Sequence, residues 1–209
     1  MKKTFFILFC ILSIQCYSQI ELAEITVYED TTIFSKVQIV DFGKYKGFIF
    51  PKEYGSIIFS HPKDKRSCFD IDKPLILKVD KELISQYYSA NKYFMERRFQ
   101  EIYENEKMHP GSYDVKALNK DRKDYWKIFK KNKNKMEEYL ESSDRQYIGY
   151  VSNKGEKIIR IQIVPHHYNY DDNFMRKRFA PIYTSQDGSD VMTMHYHLSA
   201  NRITVNEDF

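Results

Sequence analysis

The pattern of apolar and polar positions predicts two β-hairpins in the last third of the chain. Between residues 145 and 164, isoleucine occupies every second position from Ile159 to Ile163, with polar residues between, which is the period of a half-buried strand. Gly155 supplies the positive φ that a short hairpin loop requires. A second hairpin of the same kind is predicted over residues 191–205.

Two long helices are predicted ahead of these hairpins, over residues 81–106 and 115–141. Asp80 occupies the N-cap position of the first helix, and His109-Pro110-Gly111 ends it. In both segments large apolar residues recur at helical spacing while the other faces carry charge. Because the connection between them is short, the two helices are expected to form an antiparallel helical hairpin.

The first part of the mature chain is predicted to be rich in short strands. Runs of Ile, Val, Phe and Tyr indicate strands at residues 20–27, 37–50, 56–59 and 74–79. Near the other end, residues 165–188 have a polar and aromatic composition with little period. This composition predicts a long connection without regular structure between two strands, and long connections of this kind are often functional.

The order of these elements predicts an α+β fold. An antiparallel sheet is expected to pack against the long helical hairpin, with the N-terminal β-rich part completing or flanking it. A single domain is predicted over residues 19–209, consisting of a β-rich part (19–79), the helical hairpin (80–142) and the antiparallel sheet (145–209).

The first 18 residues have the features of a secretory signal peptide. Lys2 and Lys3 precede a ten-residue apolar run, and Cys16-Tyr17-Ser18 supplies a small-residue cleavage site. The run is half of the roughly 20 residues that span a bilayer. The alternative is lipidation at Cys16, although Gln15 is not the small residue that a bacterial lipobox has there. The mature protein is therefore expected to be exported. Its predicted location is the periplasm or the outside of the cell, and association with the outer membrane is a further alternative.

The charge balance and the cysteine content limit the kinds of partner and of stabilisation that the protein can use. Lys and Arg number 33 against 29 Asp and Glu, and cleavage after Ser18 removes Lys2 and Lys3, which lowers the formal charge from +4 to +2. This balance, together with export, argues against nucleic acid as a partner. Cleavage also leaves Cys68 as the single cysteine, so no intrachain disulfide is possible. The 17 tyrosines and 15 phenylalanines provide apolar area for a core instead.

A late histidine cluster is the candidate metal site. His195 and His197 are two residues apart in a predicted strand, so their side chains share one face. If the strands are neighbours, His166 or His167 with Asp171 or Asp172 would complete three or four ligands for a divalent metal. The alternative is that both strand histidines simply lie on the polar face, opposite a core face made by the residues between them.

The second predicted helix carries the clearest charge asymmetry. Nine lysine or arginine residues lie between 116 and 135, against two aspartates. Such a helix would bind anionic lipid or surface polysaccharide, with the candidate residues Lys123, Lys127, Lys130 and Lys131. The alternative is a solvated face opposite the apolar stripe.

Known catalytic motifs are absent from the sequence. There is no Gly-x-Ser-x-Gly, no His-Glu-x-x-His, no glycine-rich phosphate loop and no dinucleotide fingerprint. The sequence therefore predicts a non-enzymatic binding or structural protein of the periplasm or cell surface, with an envelope protein, lipid or polysaccharide as partner. The alternative function is a metal-binding protein or metal-dependent hydrolase that uses the His/Asp cluster.

The C-terminal hairpin region resembles a known group of proteins. Gly149-Tyr150-Val151, Lys154-Gly155-Glu156-Lys157-Ile158-Ile159, Tyr196-His197-Leu198 and residues 203–209 are similar to the end of small secreted proteins of unknown function from Gram-negative bacteria. Those proteins also have a signal peptide that ends near Ser-Gln, here Ser18-Gln19. The resemblance implies export and assigns no catalytic residue.

Overall fold

The computed structural model describes residues 35–59, 66–179 and 192–205, and these form an α+β fold, as predicted. Seven strands form one sheet, and five helices accompany it. The predicted signal peptide and the predicted strand at 20–27 lie outside the described residues. The strands are β1 (Gln38–Asp41), β2 (Lys46–Ile49), β3 (Cys68–Phe69), β4 (Ser143–Val151), β5 (Lys157–Pro165), β6 (Met192–His197) and β7 (Arg202–Val205). The helices are α1 (Gly55–Ile58), α2 (Lys73–Met108), α3 (Val115–Lys131), α4 (Lys133–Glu141) and α5 (Asp172–Lys177).

The sheet has the strand order β1-β2-β4-β5-β6-β7, and β3 pairs with the end of β4. All pairs are antiparallel except β2 and β4, which run parallel with Gly47 opposite Arg145. The sheet is thus mixed, whereas the sequence predicted an antiparallel one. The parallel pair follows from the helices between β2 and β4, which carry the chain back across the sheet.

Both predicted hairpins are confirmed. β4 pairs with β5 from Ser143 opposite Pro165 to Val151 opposite Lys157, and Gly155 in the loop has φ +78°. β6 pairs with β7, and Asn201 in that turn has φ +48°, a left-handed conformation that asparagine tolerates.

The first long helix begins earlier than predicted. Asp72, not Asp80, is its N-cap and accepts a hydrogen bond of 2.8 Å from the Leu75 amide, with Pro74 in the first turn. The predicted strand at 74–79 is therefore wrong, because Ile76 and Val79 lie three residues apart on the buried face of α2. The predicted strand at 56–59 is also wrong, since the chain there forms α1.

The helical hairpin is confirmed with one break. α3 ends at Lys131, and α4 begins at Lys133 after Asn132, whose φ and ψ are −94° and 13°. Aromatic side chains of α2 and α3 pack together, with the Phe99 and Tyr125 ring centroids 5.8 Å apart. Among the described residues, no helix is long and apolar enough to cross a membrane.

Both faces of the sheet are covered. One face packs against α2 and α4, through residues such as Tyr147, Ile161 and Tyr196 from the strands with Leu83 and Leu140 from the helices. On the opposite face, Phe48, Ile148 and Val164 pack with Tyr54 and Met175. The latter face also buries a row of polar residues whose side chains are at most 3% exposed, namely Gln146, Gln162, Thr193, His195, His197 and Thr204.

The predicted long connection after β5 has regular structure over its first part. A 3-10 turn at His166–Tyr168 follows β5 directly, and Asn169 ends it in the left-handed conformation with φ 52°. α5 comes next, capped by Asp171, whose carboxylate accepts a hydrogen bond of 2.7 Å from the Phe174 amide. Residues 166–177 are therefore an ordered connection that packs on the sheet.

Candidate ligand-binding cleft

A cleft of about 440 Å³ lies at one edge of the sheet. Three strand ends meet there: β2 begins beside the start of β4, because these strands are parallel, and β5 ends beside the start of β4, because those strands are antiparallel. The connection from β5 to α5 closes the other side. The described lining residues are Asp41, Gly43, Lys44, Tyr45, Lys46, Asp144, Val164, Pro165, His166, Asn169, Tyr170, Asp172 and Met175.

Lys46 joins three walls of the cleft. Its Nζ donates hydrogen bonds of 2.8 Å to both carboxylate oxygens of Asp172 on α5, and its backbone amide donates one of 2.7 Å to Asp144 Oδ1 on β4. The hydrogen bond to Asp172 raises the pKa of Lys46, so the ammonium group stays charged in the cleft. Both side chains remain open to solvent, at 42% and 48% exposure.

His166 is held at the rim by the same carboxylate. Its Nε2 lies 3.2 Å from Asp144 Oδ1, and its backbone amide donates a hydrogen bond of 3.0 Å to the carbonyl oxygen of Ser142. The His166 side chain is 42% exposed while that of Asp144 is 19% exposed. Asp144 therefore orients an accessible imidazole toward the cleft from a more sheltered position.

The floor of the cleft is tied to the core by a buried polar network. Asp80 on α2 accepts hydrogen bonds from the hydroxyl groups of Tyr45 (2.7 Å) and Tyr147 (3.1 Å), and its Oδ1 lies 3.3 Å from Arg145 Nε. Arg145 also donates from Nη2 to the carbonyl oxygen of Leu140 at 3.1 Å. Burial, more than any other cause, raises the pKa of Tyr45, so its hydroxyl stays protonated as a donor. This network fixes Tyr45, and with it the neighbouring residues Lys44 and Lys46 at the start of β2.

The cleft offers charges of both signs within a short distance. Lys46 and His166 provide donors, while Asp41, Asp144 and Asp172 provide carboxylates. Lys44 also lines the cleft, but its Nζ donates a hydrogen bond of 2.5 Å to Glu141 Oε2. The aliphatic and aromatic parts of the lining come from Tyr45, Val164, Pro165, Tyr170 and Met175. An arrangement of this kind suits a small polar ligand with both a donor and an acceptor group.

The structure divides the predicted metal ligands between two places. His166 and Asp172 reach the cleft, Asp171 caps α5, and His167 is exposed with its ring 4.5 Å from that of Tyr168. His195 and His197 pair with Arg160 and Ile158 on β5. Arg160, the partner of His195, is five residues before Pro165 on β5, and His166 follows Pro165. Five strand residues span about 17 Å, so His195 lies well away from His166 along β5. Among the described residues, no group of three or more His, Cys, Asp or Glu side chains is placed to hold a metal ion. The prediction of one shared site is therefore corrected.

The two strand histidines share a face, as predicted, but that face is buried. His197 has Nδ1 3.1 Å from Glu156 Oε1 and Nε2 3.0 Å from Thr204 Oγ1. The His195 ring stands edge-on to Tyr150, and burial lowers its pKa to about 3, with the nearby positive charges of Arg160 and Arg66 and the charged form of His197 acting in the same direction. The two histidines therefore lie on the polar face opposite Met194 and Tyr196, as the alternative predicted, but this face is covered, because His195 and His197 are 3% and 1% exposed.

The single cysteine of the predicted mature chain and the lysines of the second predicted helix have clear positions. Burial, the largest cause, raises the pKa of the Cys68 thiol to about 11, which keeps it protonated against Gly55. The predicted surface residues Lys123, Lys127, Lys130 and Lys131 are all exposed on α3, and none of them lines the cleft.

Sequence reasoning missed Lys46, Asp144 and most of the cleft. These residues lie in segments separated by almost 100 positions, and neither has a distinctive neighbour in the sequence. The only signal that pointed here was the polar segment after β5, which contributes His166 and Asp172. The parallel pairing of β2 with β4 is what brings the remaining groups together.

No protein-family model, no curated protein and no solved structure matches this chain. The resemblance of the C-terminal hairpin to small secreted proteins stays a prediction. A functional assignment therefore depends on the geometry of the cleft and of the molecular surface.

Proposed function

We propose that this is an exported, non-enzymatic binding protein whose cleft holds a small zwitterionic ligand, such as a short peptide or an amino acid. One observation carries the proposal: Lys46, Asp144, His166 and Asp172 converge from three segments of the chain on a single cleft. The predicted signal peptide supports a role in the periplasm or at the cell surface.

The charges of the cleft define the ligand class. A ligand carboxylate would bind the ammonium group of Lys46, and a ligand ammonium group would bind the carboxylates of Asp41 and Asp172, while Lys44 stays paired with Glu141. The volume of about 440 Å³ lies within the usual range of small-molecule sites, roughly 300 to 1,000 Å³. A dipeptide with free termini has both groups and fits that volume.

The ion pair between Lys46 and Asp172 does not block such a ligand. Both side chains are more than two-fifths exposed, and pairs of this kind contribute about 0–1 kcal/mol. A ligand that offers its own carboxylate and ammonium group replaces the pair at little cost. The hydrogen bond from Tyr45 to the buried Asp80 keeps the start of β2 in place while this exchange occurs.

Isothermal titration calorimetry with alanyl-alanine tests the proposal, with the N-acetylated and C-amidated dipeptide as the uncharged probe. We expect binding of alanyl-alanine, no binding of the blocked dipeptide, and at least about tenfold weaker binding by a Lys46→Gln/Asp172→Asn variant. This double variant leaves the net charge unchanged.

The chain offers a matched control outside the cleft. Lys52 Nζ lies 2.9 Å from Asp70 Oδ2, with side-chain exposures of 52% and 59%, so a Lys52→Gln/Asp70→Asn variant removes an equally exposed pair. This variant is expected to bind alanyl-alanine as the unmodified protein does. Equal losses in both variants, or equal binding of the blocked dipeptide, would show that the cleft does not bind the zwitterion.

A further inference from the structure

Five lysines form a straight line along α3. Their spacing alternates between four and three residues, so at 100° per residue all five lie within about 40° of one line on the helix. The line is about 21 Å long at 1.5 Å per residue. We refer to it as the lysine ridge, and it consists of the exposed residues Lys116, Lys120, Lys123, Lys127 and Lys130.

The lysine ridge is the outer surface of a helix whose inner face is occupied. Leu118 and Phe129 are buried on the opposite side of α3, and Tyr125 there packs against Phe99 of α2. The apolar face of α3 is therefore used within the fold. The ridge lies on the opposite side of this helix, where all five lysines are exposed.

Positive charge is concentrated around the ridge rather than spread over the protein. Residues 115–135 contain nine lysine or arginine residues and two aspartates, a net charge of +7, whereas the whole chain has +4. The rest of the chain therefore carries −3. The neighbouring α2 differs, because its Arg97 and Arg98 are each paired with Glu101.

No described carboxylate lies within ion-pair distance of a ridge lysine, although Arg122 on the same helix is paired with Glu96 of α2. Arg122 is paired because it lies on the side of α3 that faces α2 and its acidic residues. The ridge lysines lie on the side of α3 that faces away from α2. The ridge thus presents a line of positive charge that the described part of the protein does not neutralise.

We propose that the lysine ridge binds the surface of an anionic lipid bilayer. A straight ridge on a convex helix contacts a plane along its whole length. Lysine ammonium groups are compact charges suited to phosphate headgroups, and the ridge has no arginine or aromatic residue of the kind that reads or stacks on bases. Since Leu118 and Phe129 are buried against the fold and the ridge itself consists of lysines, the proposed contact is electrostatic and involves no insertion.

The proposed contact has a measurable strength. Each lysine near an anionic bilayer strengthens binding roughly fivefold, so three lysines correspond to about 100-fold at low salt. The interaction is expected to weaken steeply with ionic strength, because the Debye length falls from about 10 Å at 0.1 M to about 3 Å at 1 M. This site is independent of the cleft, so either proposal can fail without the other.

Sedimentation with vesicles of phosphatidylcholine containing about one-third phosphatidylglycerol tests the ridge, at about 0.05 M and about 0.5 M sodium chloride. The test variant is Lys120→Gln/Lys123→Gln/Lys127→Gln, since glutamine keeps the helix propensity of lysine. The control is Lys78→Gln/Lys81→Gln/Lys92→Gln, which removes the same charge from exposed positions on α2. Helical circular dichroism checks that both variants fold.

We expect salt-sensitive binding of the unmodified protein to these vesicles and not to pure phosphatidylcholine. The ridge variant should bind on the order of 100-fold more weakly at low salt, and the control within about threefold of the unmodified protein. Equal losses in both variants would overturn the proposal, because net charge alone would then explain binding. Failure of the unmodified protein to bind would also overturn it. So would tighter binding to duplex DNA at equal phosphate concentration, which would assign the ridge to nucleic acid.

Discussion

The guanidinium carbon of Arg145 lies 3.6 Å from the centre of the Tyr45 ring, so a buried cation is stacked directly on the floor of the cleft. Arg145 is fully buried, and its charge is offset by the Asp80 carboxylate 3.3 Å away. The ion pair between Arg145 of the sheet and Asp80 of α2 therefore also contacts Tyr45, which lines the cleft. Such a pair is expected to specify the position of Tyr45 more than to add net stability.

Replacement of Asp80 by alanine tests this arrangement. The change leaves the Arg145 charge buried without its carboxylate, so we expect a loss of about 3–5 kcal/mol in the free energy of unfolding. A Tyr45→Phe variant removes one hydrogen bond and should cost only about 1 kcal/mol. Urea denaturation measures both. An Asp80→Ala variant no less stable than Tyr45→Phe would contradict the role assigned to the ion pair.

The buried His195 predicts a specific dependence of stability on pH. Its folded-state pKa is about 3, below the ordinary value of 6.5, so on acidification the unfolded chain binds a proton first. The stability that the neutral, buried His195 contributes to the folded state is fully present above about pH 6.5. It is lost as the pH falls toward 3, at up to about 1.4 kcal/mol of unfolding free energy per pH unit.

Urea unfolding between about pH 5 and 6.5, above the range where most carboxylates titrate, isolates the histidine contribution. A His195→Gln variant should show a shallower slope of unfolding free energy against pH than the unmodified protein. An exposed-site variant, His109→Gln, serves as the control and should keep the slope. An unchanged slope in His195→Gln would be inconsistent with a neutral, buried His195.

Gly55 and Cys68 predict a pair of mutually compensating substitutions. A Cβ atom at position 55 would lie 2.1 Å from Cys68 Sγ, closer than any real contact. Gly55→Ala should therefore destabilise the protein by about 1–3 kcal/mol through overpacking. Cys68→Ala in the same chain should recover much of that loss, and a double-mutant cycle by thermal denaturation measures the coupling. Additive effects of the two substitutions would contradict the close contact.

The exposed ion pair in the cleft is expected to matter for binding and not for stability. The Lys46→Gln/Asp172→Asn variant should change the free energy of unfolding by less than about 1 kcal/mol, since surface pairs contribute little. Thermal denaturation provides the measurement. A larger loss would mean that this pair holds α5 on the sheet, and weaker ligand binding by the variant would then have a structural cause.

Parts of the fold that depend on local patterns were predictable from the sequence. The alternation of Ile159, Ile161 and Ile163 and the glycine at 155 define the central hairpin, and helical spacing defines α2 and α3. The start of α2 was not recognised, because Asp80 has the residue type of a cap while it serves as a buried partner of Arg145. Its actual cap, Asp72, precedes a short apolar run that has the composition of a strand.

The cleft was not predictable because its residues come together through long-range pairing. Lys46 and Asp144 are neighbours only because β2 and β4 are parallel, and no local pattern encodes that register. The burial of His195 and His197 also escaped prediction. Alternating polar residues in a strand indicate a solvated face, whereas this sheet is covered on both sides.

Backbone amide NMR of the ¹⁵N-labelled protein during titration with alanyl-alanine tests the central claim most directly. If the cleft is the binding site, the resonances of Gly43, Lys46 and Asn169 shift with ligand concentration, while Gly111 at the far end of the helical hairpin stays constant. Shifts that avoid the cleft, or an unchanged spectrum at saturating dipeptide, would contradict the account of this protein as a binder of small zwitterions.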